Sequence, residues 1–457
     1  MPVSTVHASY SAHAPLWAAV RDCIAGQAAV KAKGPTYLPI PDPDNNDRNS
    51  PRYQAYLQRA LFMNVVGRTL NTLVGAAFRK EPEIELPTGI EYIREDADNS
   101  NNSLIQLARS VVSNVASIGR HGLLVDYPAA PEGLSREDVI GMGLRPVITE
   151  YAAESIINWH LSGGMLDLVV LQEISETTED GFDYTSEVQY RVLRLVDGAY
   201  VQELYDDGGA LIETMEPRKA DGARWDVIPF VVSGSVNNDA VVDPVTLYDL
   251  AAVNISHYRN SADYEEGVYV HGQPMIHIDT GTMSDQEWNA KNPNGIQMGA
   301  RRGIVTNGGG SAALMQAQAN SAAFEAMTAK ERQMLMIGAR LITEGGANQT
   351  AESVRANMAA ETSVLETIVR NCGEALELCL RWVCEFAGAN PDDVTVSMNT
   401  SFFESQVDPQ MLAQMMGLES IGIISREVIL SYLRRTGVVD DTLTDEEIMG
   451  QVEAFGV

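Results

Sequence analysis

Apolar residues recur at helical spacing from Thr350 to Ala387: Val354, Met358, Leu365, Ile368, Val369, Cys372, Leu376, Cys379, Leu380, Val383 and Phe386. Steps of three, four and seven keep these side chains on one face of a single helix. At ~1.5 Å per residue the stretch spans roughly 57 Å, well beyond an ordinary globular helix. A stripe of that length needs an equally long partner surface, which points to a spine in a large assembly rather than an enzyme core. The spine is entered through Thr343, Glu344, Gly345, Gly346, Ala347, Asn348 and Gln349.

The 457 residues are 45% hydrophobic and 21% charged. That is globular usage, with room for about two to four filled cores. A formal net charge of −30 repels phosphates, which argues against tight non-specific DNA binding. Of the four cysteines, Cys23, Cys372, Cys379 and Cys384, three share the long helix at spacings too wide to bridge. With no C-x-x-C pair, they are expected to be reduced, small core hydrophobes. No signal sequence and no run of 18 apolar residues is visible, so neither secretion nor membrane insertion is expected.

Capping signals divide the chain. A helix-compatible stretch covers Leu16 to Ala29, and a Pro/Asp/Asn linker follows to Asn49. Ser50-Pro51 opens a helix with Tyr53, Leu57, Leu61 and Val65 on one side, expected to end before Pro82. Ser103 caps another through Ile118, and Gly122 to Tyr127 reads as a short buried strand stopped by Pro128. Strands are expected at Leu166–Ile174, Val188–Val196, Ala199–Tyr205 and Trp225–Val232, with Asp197-Gly198 as a hairpin turn. Asp243-Pro244 repeats the cap-plus-proline start for a helix to about Tyr264. β-compatible pieces follow at Val268–His271 and Met275–Ile278, then a helix over Leu314–Ile342. Val394–Met398 reads as a strand, and three short helices start at Asp408-Pro409, Ser425 and Thr444.

Signatures of chemistry are sparse. The sequence holds no G-x-x-x-x-G-K-[ST], H-E-x-x-H or G-x-S-x-G. His271, His277 and Asp279 come nearest to a metal set, but Gly272 and Pro274 interrupt the strand that would align them. Adjacent carboxylates such as Asp206-Asp207 and Glu446-Glu447 read as solvated charge in so acidic a chain. The expectation is a non-catalytic assembly protein without metal or cofactor. Scarce cations carry information: Arg301-Arg302 as either a partner or subunit contact or a solvated, locally paired cluster, Lys330 and Arg332 on the following helix, and Arg434-Arg435 as an ordinary solvated pair.

The order of elements from Asp243 onward resembles tailed-bacteriophage portal proteins. More specifically, the chain is similar to a portal-like family formerly known only as a domain of unknown function. The likeness is carried by Gly119 to Pro128, by Ile148 through Ile156-Ile157-Asn158-Trp159, and by Ile421-Gly422-Ile423-Ile424-Ser425. It covers nearly the whole chain.

This resemblance implies an α+β portal fold, mainly helical, with a β-rich wing, a stem, a small β-containing clip and a crown. Residues 1–242 correspond to the N-terminal wing, 243–264 to a stem helix, 265–313 to the clip and 314–342 to the second stem helix. Residues 343–349 correspond to the tunnel loop, 350–406 to the wing spine helix and strand, and 407–457 to the crown. The implied role is a ring, typically of twelve subunits, at the capsid vertex of a virion assembled in the host cytoplasm. Double-stranded DNA passes through it during packaging and ejection. Implied partners are the terminase large subunit, a head–tail adaptor, and the major capsid and scaffold proteins, with no membrane. Thr343–Gln349, Lys330 and Arg332 would face the channel, and Arg301 and Arg302 would meet clip partners. Another head–tail connector ring of the virion is the alternative.

Overall fold

The computed structural model describes residues 2–41, 46–127, 144–178, 181–272, 275–293, 309–315, 321–340, 364–400, 402 and 409–435. Helices α1 (Ala8–Ala25), α2 (Gln27–Ala32), α3 (Pro51–Arg59) and α4 (Val65–Ala77) come first. Strand β1 (Glu83–Glu85) and helix α5 (Leu104–Ile118) follow. The middle of the chain is β-rich: β2 (Arg120–Asp126), β3 (Val147–Ala152), β4 (Ile156–Ser162), β5 (Met165–Thr178), β6 (Tyr184–Val196), β7 (Ala199–Asp206), β8 (Leu211–Met215) and β9 (Phe230–Gly234). Next come α6 (Tyr248–His271), β10 (Met275–Asp279), α7 (Asp285–Lys291), β11 (Ser311–Met315) and α8 (Ala322–Arg340). Last are α9 (Val364–Ala387), β12 (Thr395–Ser397), α10 (Pro409–Ser420) and α11 (Arg426–Arg435). This is a mixed α+β chain.

The spine stripe is realised where it is described. On α9, Leu365, Ile368, Val369, Cys372, Leu376, Cys379, Leu380, Val383 and Phe386 are all buried, packed against α5, β9 and β2. Residues 350–363, the first part of the expected spine, lie outside the described residues. All four cysteines are buried free thiols, and burial raises the pKa of Cys372 to about 12.

Two sheets flank this core. One has the order β3-β2-β9, and the other is an antiparallel meander β4-β5-β6-β7-β8. At the β6–β7 turn Asp197 and Gly198 have φ of 50° and 77°, the two left-handed residues that a tight hairpin requires. A charged network ties the sheets together. Arg191 of β6 donates to both Glu173 oxygens (2.7 and 3.2 Å) and to Gln202 Oε1 (3.0 Å), and Gln202 donates to Asp126 Oδ1 (2.8 Å). Tyr151 completes it by donating to Glu173 Oε1 at 2.6 Å.

Several elements differ from their sequence pattern, each for a local reason. The helix opened by Ser50-Pro51 stops at Arg59 and restarts at Val65, with Asn64 as its cap. Side chains from elsewhere take the backbone N–H groups between them: Ser261 Oγ accepts from Leu61, Gln27 Oε1 from Phe62 and Asn254 Oδ1 from Val65. Asp243 does not cap α6, which begins at Tyr248 after Leu247. Its carboxylate instead accepts from Val236 N at 2.7 Å and closes the turn after β9. Val268–His271 continue α6 rather than forming a strand. Leu314 pairs with Ile276 in β11, so the second long helix starts only at Ala322. Trp225 to Pro229 precede β9 rather than belonging to it.

Candidate functional site

Helix α6 begins in the core and leaves it. Leu250, Ala251, Asn254, Ile255, His257, Tyr258, Ser261 and Ala262 are buried, whereas no residue from Asp263 to His271 is. The buried half carries a polar row, Asn254, His257 and Ser261, at steps that share one helical face. Asn254 Nδ2 donates to Met63 O at 2.9 Å, and Ser261 Oγ donates to Leu61 O at 2.7 Å. These bonds anchor the helix root to the α3–α4 break. The sequence holds the signal for this row, an N-x-x-H-x-x-x-S pattern at helical spacing, but its partners are far away in the chain.

Helix α8 returns antiparallel along α6. Near the root, Lys330 Nζ donates to Ser256 O at 3.3 Å and to Asn260 Oδ1, and His257 Nε2 lies 3.3 Å from Glu331 Oε1. Further out, the Tyr264 and Phe324 rings meet at 5.9 Å. The pair then passes into the β10–β11 ribbon, in register from Met275↔Met315 to Asp279↔Ser311. Helix α3 braces one flank: Tyr56 OH donates to Asp263 Oδ1 at 2.6 Å, Arg59 pairs with Glu266, and its guanidinium sits 4.1 Å above the Tyr269 ring.

Both helices also carry exposed apolar side chains. Val268, Val270, Phe324, Leu335 and Met336 are exposed, Leu335 to 71%.

Of the residues singled out in the sequence, Lys330 is half-buried against α6 and Arg332 is exposed on α8. Burial, the largest cause, and the nearby Arg259 charge lower the Lys330 pKa. Arg301, Arg302 and the loop Thr343–Gln349 lie outside the described residues. His271 ends α6 while His277 and Asp279 lie on β10, so they sit on different elements.

Residues 246–387 match the family described as Domain of unknown function (DUF4055). No curated protein matches the chain. Among solved structures it is similar to a chain in the virion of a native gene transfer agent (GTA) particle, with 14% identity and a TM-score of 0.43, over 89% of this chain and 98% of that one. A chain of the neck of an empty GTA particle, computed with C6 symmetry, gives 14% identity and a TM-score of 0.42, over 84% and 94%. One from the neck of a native GTA particle, computed with C12 symmetry, gives 14% and 0.42, over 82% and 91%.

Proposed function

We propose that this chain is a non-enzymatic subunit of a portal-type ring through which double-stranded DNA is packaged into and released from a virion. The observation that carries the reading is the stem: two antiparallel helices rooted in the core by α3 and α4, extended past it, and ended by a two-stranded ribbon. Among the described residues, these helices present Val268, Phe324, Leu335 and Met336 as exposed apolar side chains. Side-by-side association of copies would bury that surface, and a head-to-tail contact that closes generates a ring. The element order seen in the sequence agrees with the same plan.

In this reading Thr343–Gln349 and Arg332 face the channel, and Arg301-Arg302 meet the packaging motor and then the adaptor. A net charge of −30 suits a channel that must not hold DNA, because each phosphate–cation contact adds affinity through counterion release.

Electron microscopy of the purified full-length protein tests the assembly. Rings with a central hole are expected, and a Leu335→Asp, Met336→Asp variant should yield folded monomers. A wild-type chain that stays monomeric at every concentration refutes the ring. Replacing Arg301 and Arg302 with Glu should impair docking or packaging; a double variant that assembles and packages normally removes that assignment. Rings that bind the adaptor but support no packaging would favour a connector role.

A further inference from the structure

The five-stranded meander has a notch. Strand β5 loses its β4 partner beyond Leu171, and β6 pairs with β7 only from Gln189 onward. Ile174–Thr178 and Tyr184–Val188 therefore continue as a two-stranded ribbon, about 17 Å long at ~3.3 Å per residue. Where β7 ends short, a cleft of about 430 Å³ opens between the β6 edge and the β7–β8 turn, lined by Ser186, Glu187, Val188, Asp206, Asp207 and Ile212.

Two features of this notch point to an occupant. The first is charge: Glu187, Asp206 and Asp207 line the cleft, and no Lys or Arg does. The second is exposed apolar surface, with Tyr184 58% and Ile212 52% exposed beside the open edge and Ile174, opposite Val188 on β5, 70% exposed. Acidic side chains on a strand edge ordinarily keep other strands away. An edge guarded for that purpose alone would not also have large apolar side chains exposed beside it.

We propose that the β6 edge at Tyr184–Val188 is a docking site for an extended, basic segment of a different protein, which adds as a strand. Main-chain hydrogen bonds to β6 supply affinity, and alternate side chains supply specificity. Cationic positions of the incoming strand meet Glu187 and Asp207, while apolar ones cover Val188 and Ile212. A second copy of this chain is disfavoured as the occupant, since its charge of −30 opposes approach to an acidic edge. The site is independent of the stem, so failure of the ring reading and failure of this one are distinguishable.

The test uses full-length protein and two labelled peptides, one alternating lysine with valine and one alternating glutamate with valine. The lysine peptide should bind at low salt, weaken as salt rises, and slow amide exchange at Tyr184–Val188; the glutamate peptide should do none of these. Glu187→Lys with Asp207→Lys, both exposed positions, should weaken binding at least about tenfold without changing the melting temperature. Equal binding to that variant, protection elsewhere in the chain, or no binding of the lysine peptide would overturn the proposal. So would self-association of the protein that the same variant abolishes, because the occupant would then be a second copy.

Discussion

Lys330 of α8 donates to the backbone carbonyl of Ser256 on α6 at 3.3 Å and to the side-chain oxygen of Asn260 one turn on. A cation that could face outward is thus half-withdrawn between two helices, and it cross-braces the stem close to its root. Lys330→Ala should cost about 1 kcal/mol in denaturant unfolding. It should also speed amide exchange along the N-terminal half of α8. Unchanged stability together with unchanged exchange would show that the brace contributes nothing in solution.

Gly119 ends α5 in the left-handed region with φ of 83°, and a Cβ there would lie 2.5 Å from the carbonyl oxygen of Pro244. Backbone strain and collision with backbone act together, so Gly119→Ala should destabilise the chain by roughly 2 kcal/mol or more. Thermal unfolding measures it. The neighbouring Ser117→Ala, which loses one local hydrogen bond, should cost about 1 kcal/mol and serves as the comparison.

Arg120 is 1% exposed. Its guanidinium lies 4.2 Å from the centre of the Trp159 ring and donates to Ala240 O at 3.1 Å. Burial lowers its pKa to about 10, while Asp243 and Asp239 oppose the shift, so it remains charged at neutral pH. Arg120→Ala would remove the Trp159 contact and the Ala240 hydrogen bond from a buried site and should cost about 2–4 kcal/mol. A loss below about 1 kcal/mol in equilibrium unfolding would contradict this.

His7 also stacks on the Trp159 ring, with centroids 4.1 Å apart, and its Nδ1 accepts from Ser9 N at the start of α1. Burial first, and then the Arg120 charge, lower its pKa below 6.5. The fold therefore favours the neutral ring. Its contribution is fully present above pH 6.5 and is lost as the pH falls from there through the lower folded-state value. Residues 2–7 should become more susceptible to proteolysis at about pH 5 than at about pH 7.5. His7→Phe should abolish that difference, and a difference that persists in the variant would assign it to another group.

Local signals in the sequence carried far. Ser103 with Gln106 forms the capping box at the start of α5, and Asp197-Gly198 turns the β6–β7 hairpin. The α9 stripe buries the side chains that its spacing selects. Each of these depends on neighbours within a few residues, where propensity and periodicity act directly. Asp243-Pro244 carried the same kind of signal and failed as a helix start, because the turn after β9 offered its carboxylate buried backbone donors. The long helix after Pro51 broke for a similar reason, with Gln27, Asn254 and Ser261 taking its N–H groups.

The stem shows where the division lies. Spacing alone determined that this chain has two long helices around a β-containing excursion, and an amphipathic spine after them. Only the tertiary structure decided that α6 leaves the core after Ala262, that Lys330 turns onto it, and that β7 stops short of the β6 edge. Helical and strand periods are set by backbone geometry within the segment. Where an element passes from buried to exposed is set by how far its neighbours reach, and those neighbours lie two hundred residues away or more, as Leu61 and Ser261 do.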